Sequence, residues 1–106
     1  MISKTPKPPY YAVIFTSIRT DVEDGYSKMS EKMVELAKIQ PGFLGVESAR
    51  GETGISISYW KDLISIKKWK ENIEHVNAQK KIGKEKWYLG YKTRIAKVER
   101  DYDFLK

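Results

Sequence analysis

Two tryptophans, a tyrosine and the only histidine of the chain have types and spacing that could form a reactive pocket. Tyr59 and Trp60 end one predicted strand, and Trp69 and His75 follow on the next predicted helix. His75 lies six residues after Trp69 and three after Asn72, and the spacing of three lets it share a helix face with the asparagine. Because the unperturbed pKa of histidine is about 6.5, an imidazole suits the role of a general base near neutral pH.

The same residues also have structural interpretations, which the sequence leaves open. A single histidine on a partly apolar helix more often serves as a structural hydrogen-bonding group, and Asn72 can interrupt or cap a helical segment. Trp60 and Trp69 suit a hydrophobic core or a dimer interface as well as a substrate pocket. Arg94, on the last predicted strand, can pair with a carboxylate across an interface.

The elements that position these side chains begin with a strand and a helix. A run of β-branched and aromatic residues predicts the first strand over Tyr10 to Ile18. Thr20 and Glu23 have the spacing of a capping box, which predicts the start of the first helix. Pro41 disfavours helical geometry at the residue before it, so the helix is expected to end there. Between these points one apolar stripe recurs at helical spacing, formed by Val22, Tyr26, Met29, Met33 and Leu36.

Two strands, a second helix and a last strand complete the pattern. Phe43 to Arg50 and Gly54 to Lys61 are predicted strands, joined by a short hairpin loop with a glycine at each end. Asp62 is placed to cap a helix that continues to about Lys86. With a last strand over Tyr91 to Tyr102, the order βαββαβ predicts a ferredoxin-like α+β fold. Such a fold has an antiparallel four-stranded sheet with both helices on one face.

Strand alternation places apolar side chains on both faces of this sheet. Ala12 and Ile14 lie on one face, and Val13 and Phe15 lie on the other. Two helices cover only one face, and an open apolar face marks an interaction site. We therefore expect a homodimer whose subunits pack sheet face against sheet face.

Composition limits the remaining possibilities. The 106 residues suit one domain over residues 10–104, preceded by a basic, proline-containing tail over residues 1–9. The net charge of +6 sits mainly on the second helical region and the tails, where a solvated lysine-rich surface is the simplest interpretation. With no cysteine and one histidine, thiolate chemistry and a multi-histidine metal site within one chain are excluded. The start lacks a signal-peptide pattern and no stretch approaches membrane-span length, so a cytoplasmic protein is expected.

Several of these segments resemble the antibiotic biosynthesis monooxygenase domain family of the dimeric α/β-barrel superfamily. The resemblance rests on Gln40-Pro41-Gly42-Phe43-Leu44-Gly45, Ser58-Tyr59-Trp60 and the helix segment from Trp69 to Gln79. A small bacterial subgroup is more similar still, through His75-Val76-Asn77-Ala78-Gln79, Trp87-Tyr88 and Arg94-Ile95-Ala96-Lys97-Val98-Glu99. The resemblance implies the fold and the dimer.

The resemblance also implies a cofactor-independent monooxygenase that acts on a small phenolic or polycyclic aromatic substrate, with neither metal nor cofactor. The implied substrate-binding residues are Tyr59, Trp60 and Trp69. The implied catalytic residues are His75, Asn72 and Arg94. The histidine and the asparagine would hydrogen-bond or deprotonate the phenol, and the arginine would stabilise its anion.

Three other functions stay open. A non-catalytic dimeric small-molecule-binding or stress-response module would keep the same fold and pocket. A haem-degrading enzyme of this superfamily needs a histidine where Gln79 stands and an asparagine where Phe15 or Thr16 stands, although His75 lies one helical turn earlier. An RNA-recognition domain shares the βαββαβ order, but the third strand lacks its basic-glycine-aromatic signature.

Overall fold

The computed structural model describes residues 1–80 and 84–106, with side chains described for residues 1–76 and 85–106. The described elements are β1 (Tyr10–Arg19), α1 (Tyr26–Lys38), β2 (Phe43–Arg50), β3 (Gly54–Trp60), α2 (Leu63–Lys80), α3 (Lys84–Trp87) and β4 (Tyr88–Val98). None of the described helices is long and apolar enough to cross a membrane. The predicted helical continuation to Lys86 includes residues 81–83, which lie outside the described residues.

The four strands form one antiparallel sheet in the order β2-β3-β1-β4. β1 is central, and it pairs with β3 on one side and with β4 on the other. This order, with the helices packed on one face, confirms the predicted ferredoxin-like α+β fold. The register also confirms the predicted faces, because Ala12 lies opposite Tyr59 and Ile14 lies opposite Ile57.

The start of α1 differs from the predicted capping box. The helix begins at Tyr26, after Gly25 adopts a left-handed conformation with φ of 85°, and the Glu23 carboxylate accepts the Ser27 N–H of the first turn at 3.1 Å. The Thr20 hydroxyl instead donates to the carbonyl of Lys86 and accepts from the Val22 N–H. The capping-box prediction is wrong because a distant segment of the chain engages Thr20, and local spacing carries no information about that segment.

The second helix and the last strand show one agreement and one shift. Asp62 caps α2 as predicted, since its carboxylate accepts the Ser65 N–H at 2.7 Å. β4 begins at Tyr88 rather than at Tyr91, and it ends at Val98 rather than at Tyr102. The shift arises because β1 pairs with β4 along its whole length and recruits the residues after α3 into the sheet.

The core lies between the sheet and the two long helices. Trp60 is fully buried, and its ring stacks on Trp69 of α2 with a centroid distance of 5.9 Å. Phe43 meets the Trp60 ring edge to face at 5.5 Å. Trp60 Nε1 donates to Ser58 Oγ at 2.8 Å, so the buried indole is paired. The side chains packed around this centre are Tyr11, Val13, Met33, Leu36, Ala37, Ile66 and Ile73.

The other face of the sheet carries both chain termini at one end. The Ser3 N–H donates to the Glu47 carboxylate at 2.8 Å. The Tyr10 hydroxyl donates to the Asp101 carboxylate at 2.6 Å and accepts from the Thr5 hydroxyl at 3.0 Å. These bonds hold the N-terminal tail and the segment after β4 on the sheet.

We expect Trp60→Ala to reduce the free energy of unfolding by about 3–5 kcal/mol, because the change removes a buried indole and leaves a cavity. Urea unfolding followed by far-UV circular dichroism measures the loss. Ile64→Ala, at a side chain 67% exposed on α2, is the control and should cost less than about 1 kcal/mol. Similar losses in the two variants would contradict a core centred on Trp60.

Candidate functional site

Two of the predicted site residues meet in the core. Trp60 and Trp69 stack on each other, and their exposed fractions are 0% and 7%. Side chains of the sheet and both long helices fill the space around them. In this structure the two indoles therefore leave little surface for a substrate.

Tyr59 and Arg94 lie on the opposite face of the sheet. The Tyr59 hydroxyl donates to the Glu47 carboxylate at 2.7 Å, and the Tyr59 ring meets Tyr10 edge to face at 5.9 Å. Partial burial, and then the bond to this carboxylate, raise the pKa of Tyr59 to about 12, so this phenol is a donor at neutral pH. Arg94 is exposed on β4, opposite Ile14 of β1.

The remaining predicted residues lie on α2, where Asn72 is partly buried and His75 is exposed. Gln79, at the position where a haem ligand would be expected, lies outside the residues whose side chains are described. The structure thus brings the two tryptophans together and puts Tyr59 and Arg94 on the far side of the sheet. The roles predicted for these residues stay predictions.

A second group of side chains converges where β1 ends and β4 begins. Its rings come from β1, from the first residue of α1 and from the junction of α3 with β4, and its charges come from the ends of β1 and β2. We name this group the aromatic–arginine cluster, and its members are Phe15, Arg19, Tyr26, Arg50, Trp87 and Tyr88.

The rings of the aromatic–arginine cluster contact one another edge to face. The Tyr88 ring lies in the middle, with centroid distances of 5.8 Å to Phe15 and 5.9 Å to Tyr26. Tyr26 also meets the ring of Trp87 at 5.7 Å. Tyr91 of β4 continues the group, at 5.4 Å from Phe15. Together these rings form a surface that suits a flat aromatic ligand.

Arg19 is held in the cluster by three contacts. Its Nε donates to the Trp87 carbonyl at 3.0 Å, and its Nη2 donates to the Val22 carbonyl at 2.9 Å. The guanidinium carbon lies 3.2 Å from the centroid of the Tyr26 ring, in a cation–π arrangement. Since carbonyls and rings carry no formal charge, these contacts orient the guanidinium without neutralising it.

Arg50 reaches the cluster from the end of β2. Its guanidinium donates to the hydroxyl of Ser17, a residue of β1 that is 1% exposed. The guanidinium also lies against Gly54, where a Cβ atom would clash with it. Arg50 and Gly54 are opposite each other in the β2–β3 register, so the missing side chain of the glycine gives the guanidinium its place.

Two neutral donors accompany these cations. Burial raises the pKa of Tyr88, the hydrogen bond with Tyr26 raises it further, and Arg19 and Arg50 oppose the rise more weakly. The Tyr88 hydroxyl therefore stays protonated at neutral pH. The indole N–H of Trp87 is buried and has no hydrogen-bond partner among the described residues. This combination of donors, cations and rings can bind an anionic oxygen attached to a planar ring.

A surface groove of about 290 Å³ opens beside the cluster, lined by Glu85, Tyr88, Leu89, Gly90 and Tyr91. Another groove, of about 320 Å³, follows the outer face of α1 and shares none of these residues. Among the residues that the structure describes, no group of three or more histidine, cysteine or acidic side chains could hold a metal ion. The groove beside the cluster is therefore the better-placed opening for an organic ligand.

Spacing along the chain does not reveal this cluster. Trp87, Tyr88 and Tyr91 are visible in the sequence as aromatics next to the last strand, where they suit packing. Arg19 and Arg50 end different strands, and neither has a neighbour in sequence that marks it as functional. The predicted fold could have indicated the cluster, because the pairing of β1 with β4 places Arg19 at the end of β1 beside Tyr88.

Comparison with known proteins gives one close relative in sequence. The chain is 50% identical over 101 residues to the uncharacterized protein YqjZ of Bacillus subtilis (strain 168), and the match covers 93% of this chain and 88% of that protein. No protein-family model matches the chain. The match therefore shows a family relationship, and because YqjZ is uncharacterized it indicates no activity.

Three solved structures share the fold. PA3566 from Pseudomonas aeruginosa has a TM-score of 0.67 at 16% identity, covering 92% of this chain and 99% of that one. SnoaB, a cofactor-independent oxygenase from Streptomyces nogalater, has a TM-score of 0.63 at 9% identity, covering 93% and 100%. NE2512, a protein of unknown function from Nitrosomonas europaea, has a TM-score of 0.59 at 13% identity, covering 92% and 95%. At these identities the likeness shows the fold alone.

The bonds to Glu47 make part of the stability depend on pH. The Ser3 N–H, and then the Tyr59 hydroxyl, lower the pKa of Glu47 from 4.5. Because the folded pKa lies below the unfolded one, this contribution is present above about pH 4.5 and is lost as the pH falls through the folded pKa. We expect Glu47→Gln to lower the urea midpoint at neutral pH and to flatten the decline of stability in acid.

Glu52→Gln is the matched control, since Glu52 is an exposed glutamate in the hairpin and the charge change is the same. Its urea midpoint at neutral pH should equal that of the unaltered protein. A Glu47→Gln midpoint no lower than the Glu52→Gln midpoint would contradict a stabilising role for these bonds.

Proposed function

We propose that this chain, which belongs to the family of the Bacillus subtilis protein YqjZ, is a cofactor-independent monooxygenase acting on a small phenolic or polycyclic aromatic substrate. The observation that carries the proposal is the aromatic–arginine cluster, in which Tyr88 lies among apolar rings and close to two guanidiniums. The fold shared with SnoaB, itself a cofactor-independent oxygenase, supports the proposal. The resemblance to the antibiotic biosynthesis monooxygenase domain family supports it as well.

The proposed reaction depends on an ionised substrate. A phenolate gives one electron to dioxygen, and the substrate radical and superoxide then combine at a ring carbon that carries hydrogen. Loss of water from the resulting peroxide leaves a quinone, so one oxygen atom stays in the product and the other leaves as water. Cations and hydrogen-bond donors fixed beside the phenolate oxygen favour the anion from which the electron comes.

The cluster supplies these groups but no base. Arg19 would stabilise the phenolate, Arg50 would add positive charge at the site, the Tyr88 hydroxyl would donate to the phenolate oxygen, and Phe15 would contact the ring. Arginine stays protonated, and burial keeps Tyr88 protonated too, so neither accepts the phenolic proton. His75 remains the proposed base, as predicted from the sequence.

The other sequence-predicted roles remain part of the proposal, although the cluster is a different location. Asn72 and Arg94 are the further catalytic candidates, and Tyr59, Trp60 and Trp69 are the substrate-wall candidates. The burial of both tryptophans and the exposure of His75 favour a second function, a non-catalytic small-molecule-binding module that uses the same cluster. The two functions differ in whether bound substrate consumes oxygen.

We expect the protein to consume oxygen with 1,8-dihydroxyanthrone, a polycyclic phenol, and to release the matching quinone. Tyr88→Phe should lower kcat/KM about tenfold, because the variant loses a hydrogen bond to a charged oxygen and keeps the ring. His75→Ala should abolish turnover if this histidine takes the proton. An oxygen electrode, with quinone absorbance as a second readout, measures both effects.

Tyr102→Phe is the matched control for Tyr88→Phe, since its side chain is 86% exposed in the segment after β4. Unchanged turnover in Tyr88→Phe would remove the cluster from the reaction, and unchanged turnover in His75→Ala would remove the histidine. Binding of the anthrone with no oxygen consumption would leave the binding module as the function.

The predicted homodimer is part of this proposal. Ile18 and Ile55 are 49% and 44% exposed, and they lie on the sheet face that the helices do not cover. Ile14 and Ile57 lie beside them, partly buried, while the termini occupy the other end of this face. An aliphatic surface of this kind suits a self-complementary contact across a two-fold axis.

We expect light scattering at micromolar concentration to give twice the 12.3 kDa mass of the chain. Ile55→Lys should shift the mass towards the monomer, because it buries a charge in the contact. Ile64→Lys, on the exposed side of α2, is the control and should leave the dimer intact. A monomeric mass for the unaltered protein would rule out the sheet-to-sheet dimer.

A further inference from the structure

The two guanidiniums of the aromatic–arginine cluster carry charge that no described carboxylate pairs with. Arg19 donates to backbone carbonyls, and Arg50 donates to a hydroxyl. The ion pair found among the described residues joins Lys86 with Asp24. The pKa of Glu23 is lowered mainly by its hydrogen bonds with Ser27, and Arg19 is a minor cause. The Glu23 carboxylate is exposed, and it accepts the Ser27 N–H. Two positive charges are thus available to a ligand.

A buried donor without a described partner lies beside Arg19 in the same cluster. Trp87 is 8% exposed, its ring contacts Tyr26, and its indole N–H has no acceptor among the described residues. A buried donor without a partner is costly, and such groups in folded proteins call for a specific explanation. A ligand oxygen is an explanation that also accounts for the neighbouring cations.

The two positive charges of the cluster suit a ligand that carries more negative charge than a single phenolate oxygen. One phenolate oxygen carries one negative charge and presents a single atom, whereas a guanidinium matches the two oxygens of a carboxylate. Arg50 is oriented for such a contact, since Ser17 holds it on one side and Gly54 leaves room for it. The ring surface of Phe15 and Tyr88 suits the aromatic part of the same molecule.

We infer that the cluster binds a hydroxyarenecarboxylate, with its carboxylate at Arg50 and the Trp87 indole N–H and its ring against Phe15 and Tyr88. This inference rests on the proposed function for the location of the site, and it names the class of substrate. The carboxylate anchors the ring, and the phenolic oxygen is left for the reaction with dioxygen. The groove of about 290 Å³ beside Tyr88 gives the ligand its way in.

The test compares 3-hydroxy-2-naphthoate with its neutral amide, which has nearly the same shape. Isothermal titration calorimetry of the intact protein under nitrogen gives both dissociation constants without turnover. We expect the acid to bind at least about tenfold more tightly than the amide, because a hydrogen-bonded charge pair is lost in the amide. Equal affinities for the two compounds would overturn the inference.

Two variants locate the preference. Arg50→Gln removes the charge, and Trp87→Phe removes the donor while keeping a ring, so each should reduce the preference for the acid to less than about threefold. Arg100→Gln, an exposed arginine after β4 with the same charge change, is the control and should keep the preference. A preference that survives Arg50→Gln would overturn the assignment of the carboxylate to this cluster.

The Trp87→Phe variant also separates a binding role from a packing role. Because the change deletes an unpaired donor together with part of a buried ring, we expect the affinity for the acid to fall by more than that of Arg100→Gln, while the far-UV circular dichroism spectrum of the folded variant stays unchanged. A lower midpoint with unchanged affinity would overturn the role of the indole N–H.

The inference and the proposed function fail in different ways. Selective binding of the acid with no oxygen consumption under air supports the inference and ends the oxygenase proposal. Oxygen consumption that is as fast with the amide as with the acid supports the oxygenase proposal and overturns the inference.

Discussion

Burial of the Trp60 indole between the sheet and the helices is the contact on which the rest of the structure depends. The ring stacks on Trp69, meets Phe43 edge to face and donates its N–H to Ser58. These contacts attach α2 to β3 and hold both helices against one face of the sheet. They also fill the space between layers at that end, because interiors pack with few voids.

Since that end is filled, the groups suited to chemistry gather at the other end of the sheet. There the helix-facing side carries Ser17 and Arg50 in place of large apolar side chains, and the rings of Tyr26 and Tyr88 meet at the same end of the sheet. The cost of partly burying the Arg19 guanidinium against a ring is offset by the backbone carbonyls that orient it. Such a combination is typical of a ligand site more than of a core.

The uncovered face of the sheet obeys a different constraint. Tyr10 and Tyr59 place phenolic hydroxyls there, and these donate to Asp101 and Glu47. The Glu47 carboxylate also accepts the Ser3 N–H of the N-terminal tail, and Asp101 lies in the segment after β4. These two segments therefore cover one part of this face. The aliphatic part that stays uncovered is thereby confined to the half near Ile18 and Ile55.

The sequence by itself determined the order of elements and the face of each strand residue, because alternation and turn residues act over short distances. The sequence predicted both ends of β2 correctly, and it predicted Asp62 as the N-cap of α2. It was wrong about the start of α1, where Thr20 bonds with Lys86. Tertiary structure alone decided that Trp60 and Trp69 pack on each other and that Arg19 and Arg50 converge on Tyr88. Strand pairing and layer packing bring such residues together, and neither is encoded in local spacing.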